Sequence, residues 1–240
     1  IFSSTNSKIL EENIPSYLRD PENKWFGLSK RARTIVYSND QFNDNDFSTY
    51  EDLADPKWKG KLCLRTSKKV YNRSLMASMI DAYGFEKAKE VVTGWISNLA
   101  TEVFSNDTNA LKAVSSGQCG LTIVNTYYLA RLLDDPQYDN LTLFWANQSD
   151  RGVHVNISGA GIVKTSKNKQ AATLLLEYLS SEKAQDFYAS ANKEYPVLDG
   201  AMVHASIKDW GEFIEDNINV GKLGSLQKEA VFLAQEVGYK

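Results

Sequence analysis

The chain contains only two histidines, His154 and His204, and two cysteines, Cys63 and Cys119, in 240 residues. Without a Cys-x-x-Cys pair, a structural zinc site of Cys/His composition is unsupported. Two histidines also leave little room for a centre of two histidines and one carboxylate. No Gly-x-Ser-x-Gly elbow, His-Glu-x-x-His motif or phosphate-binding loop is present, so the hydrolases, metalloproteases and nucleotide enzymes built on them find no support.

Long apolar runs are lacking too. Nothing approaches the roughly 18 consecutive apolar residues of a membrane-spanning helix, and no basic-then-apolar leader opens the chain. The first residue is Ile1 rather than methionine, and the opening Ile1-Phe-Ser-Ser-Thr-Asn6 reads as a polypeptide already under way, so a mature or truncated chain is expected. A basic field is also absent. The formal charge is -3 and the pI near 5.5, with lysine and arginine scattered among acids, which argues against nucleic acid as a partner.

What is present is an ordinary globular composition, 42% hydrophobic and 24% charged, long enough for one large domain or two modest lobes. Cys63 and Cys119 each lie within or beside a short apolar run, Lys61-Leu-Cys-Leu-Arg65 and Gly120-Leu-Thr-Ile-Val124. Neighbouring parallel strands would bring them into bonding range, and an even count fits an oxidising compartment. Two buried free thiols fit the sequence almost as well.

Strands alternate with helices along the chain. Strand-like runs occupy residues 34–37, 61–65, 121–124, 141–145 and 153–157, the last leading through Ser158-Gly-Ala-Gly161. Helical periodicity covers residues 72–83, 85–99, 109–116, 127–133, 169–180 and 182–191, with a short helix at 50–54 closed by Asp55-Pro56. The alternation predicts an α/β fold with a mainly parallel sheet. Residues 34–37 and 153–163 read as two extended crossings that bracket a compact α/β unit of residues 39–152. Residues 1–38 and 153–240 then form the remainder of a first lobe, and a ligand is expected between the two.

The run ending Asn125-Thr-Tyr-Tyr128 delivers two adjacent phenols, Tyr127 and Tyr128, to the end of a buried strand. Taken alone, the pair reads more readily as helix-start packing than as a ligand pair, because the chain has 12 tyrosines. Tyr71 alone reads as a residue that packs or caps a helix start. Arg31 and Arg33, alternating through Ala32, fit either surface ion pairs or anion recognition. His154 is read as a support of the crossing segment, Asn125 as a support of the tyrosine loop and Tyr195 as structural.

Six motifs occur in the order seen in a known family: Arg31-Ala-Arg-Thr-Ile-Val-Tyr37, Leu53-Ala-Asp-Pro-Lys-Trp-Lys-Gly60, Val70-Tyr-Asn-Arg-Ser74, Asn125-Thr-Tyr-Tyr128, His154-Val-Asn-Ile-Ser-Gly159 and Glu194-Tyr-Pro196. Over nearly its whole length the chain resembles the ferric-iron-binding periplasmic proteins of bacterial ABC importers. The resemblance implies a type II periplasmic binding fold, two α/β lobes joined by hinge strands, with an incomplete N-terminal lobe because residues 1–33 match only the end of the family's first segment.

It implies Fe(III) as cargo, held by the phenolate oxygens of Tyr71, Tyr127 and Tyr128. A synergistic anion such as carbonate would be held by Arg31 or Arg33. The implied protein is a monomeric, non-enzymatic receptor in the periplasm, free or lipid-tethered, that hands iron to a permease in the inner membrane. The same fold serving a polyamine or an organic anion is the alternative, and an iron-dependent enzyme a weaker one. Ferric iron suits such a site because it is a hard cation that favours anionic oxygen.

Overall fold

Residues Phe26–Ser38 form one long strand, β1, buried along most of its length, with the β-branched run Thr34-Ile-Val36 at its heart. The computed structural model describes residues 1–240, which divide into two compact units. The first comprises Ile1–Arg31, Val155–Gly211 and Asn217–Lys222; the second comprises Ala32–His154, Glu212–Asp216 and Leu223–Lys240. The chain therefore crosses from the first unit to the second within β1. Before it, α1 (Lys8–Asn13) starts at Ser7, whose hydroxyl accepts from the Leu10 N–H at 3.3 Å, a regular N-cap.

In the second unit the strands are β2 (Leu62–Cys63), β3 (Leu121–Asn125) and β4 (Leu141–Phe144), beside the second half of β1 in the order β2-β3-β1-β4. Between β2 and β3 come α2 (Val70–Tyr83), α3 (Phe85–Ser97) and α4 (Asp107–Ser115), and α5 (Thr126–Ala130) follows β3 directly. The expectation of a mainly parallel sheet is corrected: β3 and β4 both run antiparallel to β1, while β2 and β3 are parallel. The helical connection from β2 to β3 is long enough to restore strand direction, whereas β1 precedes it and runs the opposite way.

Cys63 and Cys119 are joined by a disulfide, with Cα atoms 6.0 Å apart, where β2 lies alongside β3. The Asp55-Pro-Lys-Trp-Lys-Gly60 turn sits nearby. The Asp55 carboxylate accepts from the Lys57 N–H at 2.8 Å, Gly60 takes a φ of +73°, and Trp58 is buried in a stack with Phe47 at 5.0 Å.

The first unit places β5 (Val155–Ala160) against β1, so closely that a side chain at Gly159 would lie 2.6 Å from the Phe26 carbonyl. It continues through α6 (Lys169–Leu179), α7 (Glu182–Asn192) and α8 (Ala205–Lys208). Tyr195 pairs with Lys30 in both directions, N–H to carbonyl at 2.7 and 2.9 Å. Helix α9 (Val220–Ser225) then leads to α10 (Gln227–Glu236), which packs on α2 and α3 in the second unit, with Phe232 stacked on Phe85 at 5.8 Å. Leu223–Lys240 thus belongs with 32–154, whereas the sequence pattern places all of residues 153–240 with the first lobe.

Candidate metal centre

All five residues of β3 are buried, and the strand stops at Asn125, which lies opposite Arg33 in the β1–β3 register. The next residues open α5, so Tyr127 and Tyr128 project from the end of a fixed strand. Tyr127 is 6% exposed and Tyr128 half-buried, their ring centroids 4.3 Å apart. Tyr71 occupies the first turn of α2. The Tyr127 hydroxyl donates to the Tyr71 hydroxyl at 3.3 Å, so the first turns of two helices bring the phenols together.

Below them lies a buried charge network. Asp107, the first residue of α4, is fully buried, and its carboxylate accepts from Arg33 Nη1 at 2.9 Å and from the Asn125 N–H at 3.1 Å. Arg33 is fully buried as well. Its Nε donates to Asn72 Oδ1 at 2.8 Å, Nη1 also donates to Asn125 Oδ1 at 3.0 Å, and Nη2 donates to the Ile123 carbonyl at 2.9 Å and to Asp107 Oδ1 at 3.4 Å. A guanidinium has five N–H donors. All five are engaged, so the expectation that Arg33 holds an anion is corrected: it ties the ends of β3, α2 and α4 together beneath the tyrosines.

Sequence reasoning missed Arg65 and Arg131. The Arg65 guanidinium lies 4.9 Å from the Tyr71 ring centroid and 3.6 Å from Asp107 Oδ1. Burial works against its charge, but Asp107 and the hydroxyl of Tyr128 outweigh that and hold its pKa above the ordinary value. Arg131 lies over the Tyr127 ring at 4.8 Å. The four-residue spacing of Tyr127 and Arg131 at a helix was the available signal; Arg65 left none, because its partners come from α2, α4 and α5. Arg31 lies in the first unit, where its Nη1 donates to Ser158 Oγ at 2.8 Å.

His154 is fully buried, with Nε2 3.0 Å from Ser74 Oγ, its N–H donating to Tyr50 Oη at 3.1 Å and its carbonyl accepting from the Arg33 N–H at 2.8 Å. Burial, reinforced by Arg151 and Arg33, pushes its pKa down to about 3. It is a neutral support of β1.

No three His, Cys, Asp or Glu side chains come together in a way that would hold a metal ion. The chain's converging donors are phenols. Burial, with hydrogen bonds to Tyr128 and Tyr71, pushes the Tyr127 pKa well up, so the free phenol keeps its proton and only a strongly attracting cation would displace it. The arrangement suits a hard, highly charged ion: clustered oxygens, neighbouring cations to offset their negative charge, and no soft donor.

The fold is a mixed α/β one in two units, and a cluster of phenols meets at the starts of two helices, the kind of polar site a solute receptor presents. The chain belongs to the bacterial extracellular solute-binding protein family, whose model matches residues 2–213. It is 46% identical to iron uptake protein A1 of Synechocystis sp., over all of this chain and 68% of that protein. Among solved structures it superposes on the Trichodesmium protein IdiA/FutA in complex with iron and citrate ligands with a TM-score of 0.98 at 42% identity, covering all of this chain and 78% of the other. Ferric iron-binding protein A of Mannheimia haemolytica in an open conformation gives a TM-score of 0.94 at 40% identity, covering 99% and 77%. The fold is that of the periplasmic ferric-binding proteins.

Proposed function

We propose that this chain captures ferric iron through the phenol oxygens of Tyr71, Tyr127 and Tyr128 and, as the substrate-binding component of an ABC importer, delivers it to a permease in the inner membrane. The observation that carries the proposal is the meeting of the Tyr71 and Tyr127 hydroxyls at 3.3 Å, with the Tyr128 ring tilted against that of Tyr127 and cationic groups against the rings.

Three phenolates match the charge of Fe(III) and leave coordination positions for an anion or water. Arg131, over the Tyr127 ring, is the guanidinium that would hold such an anion, a role that suits its planar fork; the Trichodesmium relative is in complex with iron and citrate ligands. Binding displaces phenol protons, so affinity falls in acid. The receptor acts as a monomer, performs no chemical step and works in the periplasm, where the Cys63–Cys119 disulfide would persist.

Equilibrium dialysis of the protein against ferric citrate, zinc chloride and spermidine tests the proposal. Retention of ferric iron without spermidine supports it. Retention of spermidine with no preference for iron would assign the fold to another solute.

A further inference from the structure

Two guanidiniums share the Asp107 carboxylate, and they differ in one respect. Arg33 has every donor engaged. Arg65 is only 7% exposed, yet its Nε and Nη1 have no hydrogen-bond partner, Nη1 standing 3.6 Å from Asp107. Buried donors left without acceptors are costly and uncommon in a folded protein, and each calls for an explanation.

The backbone around Arg65 is anything but loose. Its carbonyl accepts from Tyr239 Oη at 2.6 Å and from Asn72 Nδ2 at 2.7 Å, and the flanking residues bond Phe104 through Thr66 N–H at 2.8 Å and Leu64 carbonyl at 2.9 Å. A fixed main chain thus holds a guanidinium with unused donors against the face of Tyr71 and beside Tyr128.

We infer that Arg65 is a positioning residue of the metal site: it orients Tyr71 and Tyr128 for the ion, and its unused donors engage their oxygens in the loaded state. The inference rests on the iron-binding reading above. Metal-bound phenol oxygens are anionic and keep lone pairs, so a neighbouring guanidinium bonds them more strongly than it bonds neutral phenols. The planar group can lie on one ring and donate to a second oxygen at once, which an ammonium cannot reproduce. Asp107 anchors it without saturating it, and because Asp107 also holds the Asn125 N–H, the same carboxylate fixes both sides of the cluster.

The test uses Arg65→Gln and Arg65→Lys. Each is titrated with ferric citrate while the visible tyrosinate-to-iron absorption is followed, and thermal unfolding is recorded without iron. Both variants are expected to bind iron with a visible band, since all three phenols remain, but with a displaced band maximum and an affinity lower by roughly 10- to 100-fold, the usual consequence of removing a partner behind a metal ligand. The lysine variant should recover part of the affinity but not the wild-type band. Wild-type band position and affinity in both variants would overturn the inference. Should the glutamine variant fail to fold, the lysine variant decides alone on the same criteria. Absence of any band in the wild-type protein would remove the iron-binding reading itself, and the inference with it.

Discussion

The Tyr127 hydroxyl donates to the Tyr71 hydroxyl at 3.3 Å although the residues are 56 positions apart. Each stands in the first turn of a helix, α5 or α2, and the Arg33–Asp107–Asn125–Asn72 network holds both helix starts in place. The tyrosines are thus presented by a rigid base, which is how a site is kept ready before its ligand arrives.

Removing one oxygen while keeping the ring separates binding from packing. Tyr71→Phe should unfold within about 1 kcal/mol of wild type, because the ring and its packing stay and only hydroxyl hydrogen bonding is lost. Its retention of ferric iron in dialysis should fall by at least about tenfold, or about 1.4 kcal/mol. A variant that retains iron like wild type would remove Tyr71 from the ligand set.

Asp107→Asn would leave Arg33 and Arg65 buried with no counter-charge. Breaking a buried ion pair in this way costs about 3–5 kcal/mol, measurable as a lower urea midpoint. A loss below about 1 kcal/mol, the range of an exposed pair, would mean that the network does not hold the helix starts.

Much of this was legible in the sequence and some was not. The strand at 121–124, the helix that begins at the tyrosine pair and the turn at Asp55-Pro56 all follow from local pattern, and each appears within a few residues of its expected place. Strand direction did not follow, because apolar alternation carries no sign of which way β1 runs beside β3. Arg33 misled for a related reason: spacing shows that a side chain leaves the strand but not that Asp107, Asn72 and Asn125 converge on it. Arg65 and the C-terminal Tyr239, whose hydroxyl reaches back to the Arg65 carbonyl, depend on contacts across the whole unit.

The Cys63–Cys119 bond closes a loop of sequence separation 56. On the chain-entropy account its loss should cost about 4 kcal/mol. Urea unfolding with and without reductant measures this directly; coincident curves, with reduction verified by thiol assay, would contradict it.

The buried His154 gives a pH dependence of defined sign. Its pKa falls from an ordinary 6.5 to about 3 in the folded chain, so between these values the unfolded chain binds the extra proton. The contribution to stability is complete above pH 6.5 and is lost as pH falls toward 3, at a rate of up to about 1.4 kcal/mol per pH unit. Urea unfolding at pH 7 and pH 4.5 should show a larger difference in wild type than in His154→Gln, which can keep a bond to Ser74. Equal differences would place the histidine elsewhere than in a dry core.

The central claim is that Tyr127 binds ferric iron as a phenolate. A visible absorption titration of the purified protein with ferric citrate, repeated with Tyr127→Phe, tests it most directly. A tyrosinate-to-iron charge-transfer band should grow in the wild type and weaken or shift in the variant. No band in the wild type, or an unchanged band in the variant, would contradict the account.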